Sequence, residues 1–534
     1  MIATVEGSSG PGGRIIGPIF RRGDDTALTA DAVEPLLQHT DGARVLVRDF
    51  WGDYIAIGAK AGAERYALRS PFGDLSCYWH EASDHVVLAS SIRLLGAFGG
   101  PAPAVDWRGL SHFLVATDLR NGRTCLRDIQ ELGAGQMLQV ALANVRIRCC
   151  WSPWSCTEQM PPFQSRDAAA NAMRSAIDVA VSACVNRDTP VILLLSGGLD
   201  SSAVAAALAA CTHHLTCLTM VVADAQGDER SQARAVAHHL NVPLVEIMRD
   251  PEQVDFTRPF APGLPRPTGA PFRQATLAAA DRLARDTGAK QVIDGGGGDN
   301  MFCSLQSVVP VIDALLGLNR AARPLATAAS IARMANVSLV SVMHRAALRM
   351  MTGRVAYRWP IDRMLLNPAM IDDFIPLHPW LVPPQVTPPG KAAQVGLLLA
   401  AVSVVGNLEA ERRPAILSPL VSQPIAEAAL RVPSWMWFEE GRNRAPVRRA
   451  YATRLPTSVV SRRSKGTPTG FLARLVEKEA DMLRPFLLDG CLAIHGVIDR
   501  AAVEAALAPG PARDLRFARL LQLADAEAWA RSWS

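Results

Sequence analysis

The sequence has few lysines, no Cys-x-x-Cys pair and no apolar run near twenty residues. Lysine occurs only at Lys60, Lys290, Lys391, Lys465 and Lys478, although lysine and arginine together number 55. The net charge of +5 is too small for 534 residues to indicate nucleic-acid binding. The absence of a long apolar run predicts no membrane span, and the N-terminal Met-Ile-Ala-Thr-Val-Glu-Gly does not resemble a signal peptide. We therefore expect a cytoplasmic protein.

The composition indicates a globular chain. Hydrophobic residues make up 49% of it and charged residues 20%, and its length predicts two to four domains. Ten cysteines follow no regular spacing, which favours reduced thiols over a disulfide framework or a zinc site.

One stretch, residues 191–202, predicts a site for a phosphate. Val191 to Leu195 is an apolar run typical of a strand buried on both faces. Ser196-Gly197-Gly198 follows as a tight turn, and a helix is predicted from Leu199. A helix N-terminus after a glycine turn presents free N–H groups and a positive dipole end to an anion. Asp200 adds a carboxylate at the same rim, which suits Mg²⁺ held between protein and phosphates.

This stretch differs from the common P-loop because Gly-x-x-x-x-Gly-Lys-Ser/Thr is absent. Its Ser-Gly-Gly-Leu-Asp-Ser-Ser resembles the pyrophosphate-binding loop of the ATP pyrophosphatases, which split ATP into AMP and pyrophosphate. The resemblance implies ATP and Mg²⁺ as ligands. The nucleotide-binding residues it implies are Leu194, Ser196, Gly197, Gly198, Asp200, Ser201, Ser202, Met220 and Gly295, with Asp200 and Asp299 at the metal.

Strands and helices alternate after this turn. Leu215–Val222, Leu244–Met248 and Gln291–Ile293 are predicted strands, with helices near 227–239 and 277–285 between them. This order predicts an α/β doubly wound parallel sheet, whose ligands lie at the carboxyl ends of the strands. The last strand runs into Asp294-Gly-Gly-Gly-Gly-Asp299. We therefore expect Asp299 to lie near Asp200.

Residues 1–155 are predicted to form an α+β domain with antiparallel sheets. Strands are expected at Arg44–Phe50, Tyr54–Ile57, Val86–Ala89 and Met137–Val140, and a helix at Asp106–Thr117. Phe50-Trp-Gly-Asp-Tyr54 and Arg69-Ser-Pro-Phe-Gly73 resemble motifs of the N-terminal-nucleophile (Ntn) type glutaminase domain of class B asparagine synthetases. That domain needs a cysteine as its first mature residue, whereas Ile2 follows Met1 here. We expect a degenerate domain without glutaminase activity.

Residues 156–534 are then the predicted synthetase domain, beginning after a Ser/Pro-rich stretch. Leu408-Glu-Ala-Glu-Arg-Arg-Pro414 resembles the family's Glu-x-Arg-x-Pro segment, so Glu409 or Glu411 is expected to orient a substrate amine. Ser461–Gly466 resembles the Arg-x-Lys segment, which implies that Lys465 stabilises developing charge. Gly296 replaces the glutamate or tyrosine that the family uses in a base dyad.

The resemblance implies an ATP-dependent amide-forming ligase. Residues 305–385 carry arginines against few acids, which suits either an acidic substrate or a solvated helix face. Without a glutaminase the amine is expected on the substrate, as in β-lactam synthetases and lasso-peptide cyclases, and the glycine loop is more similar to the cyclases. A peptide substrate, with a leader peptidase and a leader-binding protein as partners, is therefore expected. A ligase acting on a small amino acid and a non-catalytic nucleotide-binding paralogue remain alternatives.

Overall fold

The computed structural model describes most of the chain. The residues it does not describe are 1, 6–12, 40, 60–64, 142–143, 223–226, 318–321, 354–355, 373–376, 409–411, 464–465, 467–468 and 509–515, together with the side chains of 2–5, 30 and 469.

The strands are β1 Ile2–Val5, β2 Arg14–Ile16, β3 Ile19–Arg21, β4 Phe50–Gly52, β5 Ile55–Ala59, β6 Arg65–Arg69, β7 Tyr78–Glu81, β8 Val86–Ala89, β9 Gln130–Glu131, β10 Gln136–Ala141, β11 Asn144–Cys149, β12 Val191–Leu194, β13 Leu215–Val221, β14 Leu244–Met248, β15 Gln291–Ile293 and β16 Ala415–Leu417.

The helices are α1 Gly42–Asp49, α2 Ile92–Ala97, α3 Trp107–Val115, α4 Pro153–Gln159, α5 Arg166–Cys184, α6 Leu199–Cys211, α7 Arg230–Leu240, α8 Arg273–Thr287, α9 Gly298–Met301, α10 Val309–Leu315, α11 Pro324–Ala335, α12 Leu339–Met351, α13 Pro389–Val402, α14 Gln423–Arg431, α15 Ala445–Ala450, α16 Thr457–Val460, α17 Thr469–Lys478, α18 Ala480–Leu488, α19 Cys491–Ile494, α20 Arg500–Leu507 and α21 Arg516–Arg531. In the described part of the chain no single helix is long and apolar enough to cross a membrane; α11 and α12 reach that length and apolarity only together, with a bend of 113° between them.

Two antiparallel sheets form the N-terminal part, as the sequence predicted. One has the strand order β1-β8-β7-β9 and the other β11-β10-β6-β5-β2. Side chains from both sheets, including Ile55, Trp79, Leu88 and Leu138, share one buried cluster. The two sheets therefore pack face to face across this cluster.

The prediction of a strand at Arg44–Phe50 was wrong, because the chain forms α1 there. Ala43, Leu46 and Val47 are buried while Arg44 and Arg48 are exposed. This is the spacing of one helical face, and its packing outweighs the strand preference of two valines. The predicted strands at 86–89 and 137–140 and the helix starting at Asp106 agree with β8, β10 and α3.

A parallel sheet in the order β14-β13-β12-β15-β16 forms the centre of the second half. The sequence predicted its strands β12 to β15 within a residue or two. β12 lies beside both β13 and β15, so the loops after β12 and β15 end at the same edge of the sheet. β16 pairs in parallel with β15, and the chain between these two strands forms the helices α9 to α13.

The N-terminal part and the second half of the chain pack against each other through a common hydrophobic core. The largest hydrophobic cluster contains Trp51 and Trp151 as well as Met173 and Ile293. A buried ion cluster also joins them, since Glu131 accepts from Arg69 at 2.8 Å and is paired with Arg266. Burial opposes the charge on Glu131, but the guanidinium groups outweigh it and hold the pKa of this carboxyl well below its usual value. The boundary after residue 155 stays a prediction.

Candidate functional site

The predicted phosphate turn lies at the carboxyl edge of the parallel sheet. β12 ends at Leu194, and α6 begins at Leu199 with Gly198 as its N-cap. Gly197 has a φ of +72°, and a Cβ there would lie 2.5 Å from the Cβ of Gln232 on α7. Only glycine combines this left-handed backbone with so close an approach, which explains the glycine at the centre of the turn.

Serine hydroxyls fix the shape of this turn. The Oγ atoms of Ser196 and Ser201 lie 3.1 Å apart, and the N–H of Gly198 donates to Ser196 Oγ at 3.3 Å. Ser201 Oγ in turn donates to the carbonyl of Gly198 at 3.3 Å. The turn is thus held in place before any ligand arrives, and the first N–H groups of α6 have no acceptor within their own helix. This is the arrangement that binds anions at helix N-termini.

The glycine run after β15 brings a second loop against α6. An added Cβ at Gly295 would lie 2.7 Å from the backbone nitrogen of Ser201, and one at Gly298 would lie 2.7 Å from Cγ of Asp200. The two loops can approach this closely only because these positions lack side chains. The approach places Asp299, at the start of α9, beside Asp200.

Arg444 lies between the two aspartates. Its Nη1 donates to Oδ1 and Oδ2 of Asp200 at 3.0 and 2.9 Å, and to Oδ1 of Asp299 at 2.6 Å. Arg444 is the N-cap of α15, with φ at +57°, and its side chain is buried. The two carboxylates therefore converge on a single cationic nitrogen. The structure confirms that Asp299 lies near Asp200, and their role as metal ligands stays a prediction.

This convergence fits Mg²⁺. Two carboxylates that meet at one cationic point are the oxygen ligands this ion prefers, and Mg²⁺ completes its shell with water and substrate phosphates. Among the described residues no group of three or more His, Cys, Asp or Glu side chains could hold a metal. Asp200 and Asp299 thus suit an ion shared with a nucleotide.

A cavity of about 510 Å³ opens in front of these groups. Its walls carry Arg444, Arg448, Arg462 and Arg463 as well as the two aspartates. Burial lowers the pKa of Arg448 to about 10, so this side chain stays charged at neutral pH. Four guanidinium groups against two carboxylates give the cavity the positive excess that a triphosphate requires.

Two of these arginines brace the cavity wall. Arg448 donates from Nε to the carbonyl of Asn443 at 2.8 Å and from Nη1 to the carbonyl of Val460 at 2.6 Å. Arg462 forms an ion pair with Glu229 at 2.9 Å, and Glu229 also accepts from the backbone N–H of Gly466 at 3.1 Å. The wall after α16 is thereby attached to the start of α7.

The structure brings most of the predicted nucleotide residues to this cavity. Those that line it are Leu194, Ser196, Gly198, Asp200, Ser201, Gly295 and Asp299. Gly197, Ser202 and Met220 do not line it; Ser202 is fully buried, and Met220 packs beside the hydrophobic cluster that contains Leu218. Glu409, Glu411 and Lys465 lie outside the described residues, so their roles stay predictions.

Sequence reasoning missed Arg444 and Arg448. They lie about 240 residues beyond the turn, in a chain where arginine is abundant, and no glycine or acidic motif marks them. The one local signal was Ala445-Pro446, which is typical of a helix start.

A smaller cavity of about 180 Å³ lies beyond the glycine loop. Asp53, Asp74 and Asp294 line it, and Asp294 accepts from Ser418 Oγ at 2.6 Å. Burial, with the neighbouring charge of Asp53 as a second cause, raises the pKa of Asp74 to about 7. An added Cβ at Gly296 would lie within 3.0 Å of atoms of Asp294, Val404 and Ser418. A glutamate or tyrosine at this position, as in the family's base dyad, would require these side chains to move.

The sequence profile of the family described as asparagine synthase matches residues 172–353 and 416–531, more than half of the chain. The chain belongs to the asparagine synthase family. This membership indicates an ATP-dependent ligase that forms carbon–nitrogen bonds. The match includes the phosphate turn, the glycine loop and the four arginines that line the larger cavity, which we call the arginine wall. It omits residues 354–415, which contain Glu409 and Glu411. It also leaves residues 1–171 unmatched. No curated protein matches the chain.

Proposed function

We propose that this family member is an ATP-dependent peptide macrolactam synthetase. It would activate the side-chain carboxylate of an Asp or Glu in a short peptide and join it to the N-terminal amine of the same peptide. The observation that carries the proposal is the phosphate turn and the aspartate pair set inside a cavity with four arginines. The proposed reaction is that of a lasso-peptide cyclase.

The first step is adenylation. A carboxylate oxygen of the peptide attacks the α-phosphorus of ATP, the bond from that phosphorus to the bridging oxygen breaks, and pyrophosphate leaves. The N–H groups at the start of α6 and the arginines of the wall would hold the phosphates in line and neutralise the charge on the leaving group. Mg²⁺ held by Asp200 and Asp299 would add positive charge at the same phosphates.

The second step forms the amide. The neutral N-terminal amine attacks the acyl carbon, the bond to the AMP oxygen breaks, and the nitrogen loses a proton. Lys465 is proposed to stabilise the charge in both steps, and Glu409 or Glu411 to orient the amine. Residue 296 is a glycine and therefore offers no side chain to assist this step.

The charge of the cavity and its opening to solvent support a peptide as the substrate. An acidic peptide would be attracted to a cavity with an excess of arginine. The cavity is partly open to solvent on the side of Gln306 and Ser304, so a chain longer than a single amino acid can extend from it. The basic helical region after residue 305 begins at this opening.

The test uses purified protein, ATP, Mg²⁺ and a pool of synthetic peptides with free N-termini and one Asp or Glu at varied positions. We expect AMP and pyrophosphate, and a peptide product lighter by one water. Hydroxylamine should trap the activated carboxylate as a hydroxamate. The variant Asp299→Ala should lose all three signals, whereas Asp286→Ala, an exposed aspartate on α8, should keep them.

Two results would contradict the proposal. One is nucleotide turnover that yields ADP alone. The other is pyrophosphate release with free aspartate and ammonia but with no peptide, which would favour a ligase of small amino acids.

A further inference from the structure

Glu229, at the start of α7, makes contacts that its place on the helix does not explain. It is the N-cap residue of α7, and this helix, which the structure describes in full, donates no capping hydrogen bond to its side chain. An acidic side chain at a helix N-terminus normally interacts with the free N–H groups and the dipole of that helix. The carboxylate of Glu229 instead contacts the chain that follows α16.

Two contacts join Glu229 to that chain. Its Oε1 lies 2.9 Å from Nη1 of Arg462 and accepts from the backbone N–H of Gly466 at 3.1 Å. The side chains of Arg462 and Glu229 are 17% and 14% exposed, so salt and water screen their attraction only in part. An added Cβ at Gly466 would lie 3.0 Å from Cγ of Glu229. The backbone at Gly466 therefore lies directly against this side chain.

Arg462 depends on the same carboxylate. Its Nη1 is buried and makes no hydrogen bond of good geometry within the described part of the chain. The ion pair with Glu229 is the interaction that compensates its charge. Because a buried guanidinium without a counter-charge is costly, Arg462 stays at Glu229 and keeps its place in the wall of the cavity of about 510 Å³.

The start of α7 also packs against the phosphate turn. An added Cβ at Gly197 would lie 2.5 Å from the Cβ of Gln232 and 2.6 Å from the backbone nitrogen of Ala233. Gln232 and Ala233 lie in the first turn of the helix that Glu229 begins. The phosphate turn is therefore packed against the same end of one helix that holds Arg462 and Gly466, and Glu229 provides the second of these two connections.

We propose that Glu229 is a positioning residue for Lys465, with Arg462 and Gly466 as its two points of attachment. The inference rests on the proposed function, in which Lys465 stabilises charge in both steps, and adds the group that positions this lysine. The N–H that Glu229 accepts belongs to the planar peptide group that joins Lys465 to Gly466. Without the carboxylate, Arg448 would still hold the carbonyl of Val460, but this contact lies before Arg462 in the chain.

The first experiment measures how firmly this part of the chain is held. It contains three cleavage sites for trypsin, at Arg462, Arg463 and Lys465. In Glu229→Ala, trypsin should cut at these sites at least about tenfold faster than in wild type, because local opening becomes easier. Mass spectrometry identifies the sites, and circular dichroism verifies that the variant is folded.

Glu246→Ala is the matched control for this experiment. Glu246 forms an ion pair at 2.5 Å with Arg234, which lies on the same helix, and neither residue lines the cavity. The control variant should be cut at the three sites as slowly as wild type. Equal cleavage of Glu229→Ala and wild type would overturn the inference.

The second experiment asks whether Glu229 acts through the lysine. Hydroxamate formation is measured in wild type, Glu229→Ala, Lys465→Ala and the double variant. Glu229→Ala should lower kcat by about tenfold or more, because a catalytic charge that is out of place stabilises the transition state poorly. In the background that already lacks Lys465, the same change should lower kcat by less than about threefold, because the group that Glu229 positions is gone.

A conservative variant extends the second experiment. Glu229→Gln keeps an oxygen that can accept from the N–H of Gly466 and removes the charge that attracts Arg462. Its kcat should lie between those of wild type and Glu229→Ala. An equal loss from Glu229→Ala with and without Lys465 would show a merely structural role and overturn the inference.

The two experiments separate this inference from the proposed function. A wild-type protein that forms no hydroxamate with any peptide would refute the synthetase, whereas faster trypsin cleavage of Glu229→Ala would still keep Glu229 as the anchor of this part of the chain. A protein that cyclises a peptide with the same kcat in wild type and Glu229→Ala would keep the synthetase and refute the positioning role.

Discussion

Replacing Arg444 with methionine tests the electrostatics of the site in the protein without nucleotide, and it leaves the serine–glycine turn and both aspartates unchanged. Methionine keeps the unbranched apolar stem and removes the guanidinium that lies 2.6–3.0 Å from both carboxylates. The negative charges of Asp200 and Asp299 would then repel each other without the positive charge of Arg444 between them. We expect the protein without nucleotide to become less stable, because part of a buried ion cluster is removed.

The size of the expected loss in unfolding free energy depends on how deeply the ion cluster is buried. Removing one partner of a buried ion pair costs about 3–5 kcal/mol. Asp299 is more exposed than Asp200, and both have other interactions, so we expect about 2–4 kcal/mol. Since 1 kcal/mol shifts the Tm of a unit of 150–250 residues by about 2–4 °C, the apparent Tm should fall by roughly 4–16 °C.

The assay is thermal unfolding followed by circular dichroism, with and without ATP and Mg²⁺. The ligands should raise the Tm of Arg444→Met more than that of wild type, because in wild type the ion competes with Nη1 of Arg444 for the same oxygens. Arg463→Met removes an exposed arginine from the same cavity and should change the Tm without ligand very little. If Arg444→Met is as stable as Arg463→Met, the reasoning is refuted.

Three further predictions concern the metal pair, the lysine and the second cavity. Asp299→Ala should reduce adenylation by a factor of about 10³ or more, measured as hydroxamate formation; retention of wild-type rates would remove Asp299 from the site. Lys465→Ala should slow turnover with an unchanged Tm, and normal kcat would exclude the lysine from the chemistry. The pKa of Asp74 is raised to about 7, mainly by burial and then by the charge of Asp53. A raised pKa stabilises the fold fully below the ordinary value of 3.8, and this contribution is lost as pH rises through about 7. The free energy of unfolding should therefore fall by on the order of 2–4 kcal/mol across this range, and Asp74→Asn, which can still accept from the N–H of Gly406, should flatten that dependence in denaturant titrations. An identical pH profile for Asp74→Asn and wild type would contradict this account.

The sequence predicted the parallel sheet well for a physical reason. β12 to β15 are short, mainly apolar runs, and β12 and β15 lead into the Ser-Gly-Gly turn and the glycine run. Such runs have few alternatives to a strand in a buried sheet. The Ser-Gly-Gly turn and Asp299 were predictable because glycine and acid coincide at strand ends. α1 was not predictable, because its short sequence fits a strand and a helix about equally well. The packing of its buried face against the rest of the domain selects the helix.

The arginine wall could not be read from local patterns. Arg444 reaches the aspartates only because α15 begins at a left-handed residue and packs against α5, and neither fact has a distinctive sequence signal. The closed space around Gly296 likewise depends on Val404 and Ser418, which the fold brings from distant positions. Contacts of this kind become visible only when the chain is folded.

In the proposed reaction the turn at 196–202 holds the triphosphate of ATP for cleavage between the α- and β-phosphorus atoms. A crystal structure with Mg²⁺ and the α,β-methylene analogue of ATP, which resists that cleavage, tests it most directly. We expect phosphate oxygens on the N–H groups at the start of α6, with the metal between Asp200 and Asp299 and Arg444 moved aside. Analogue bound elsewhere, with the turn empty and Arg444 still on both carboxylates, would contradict it.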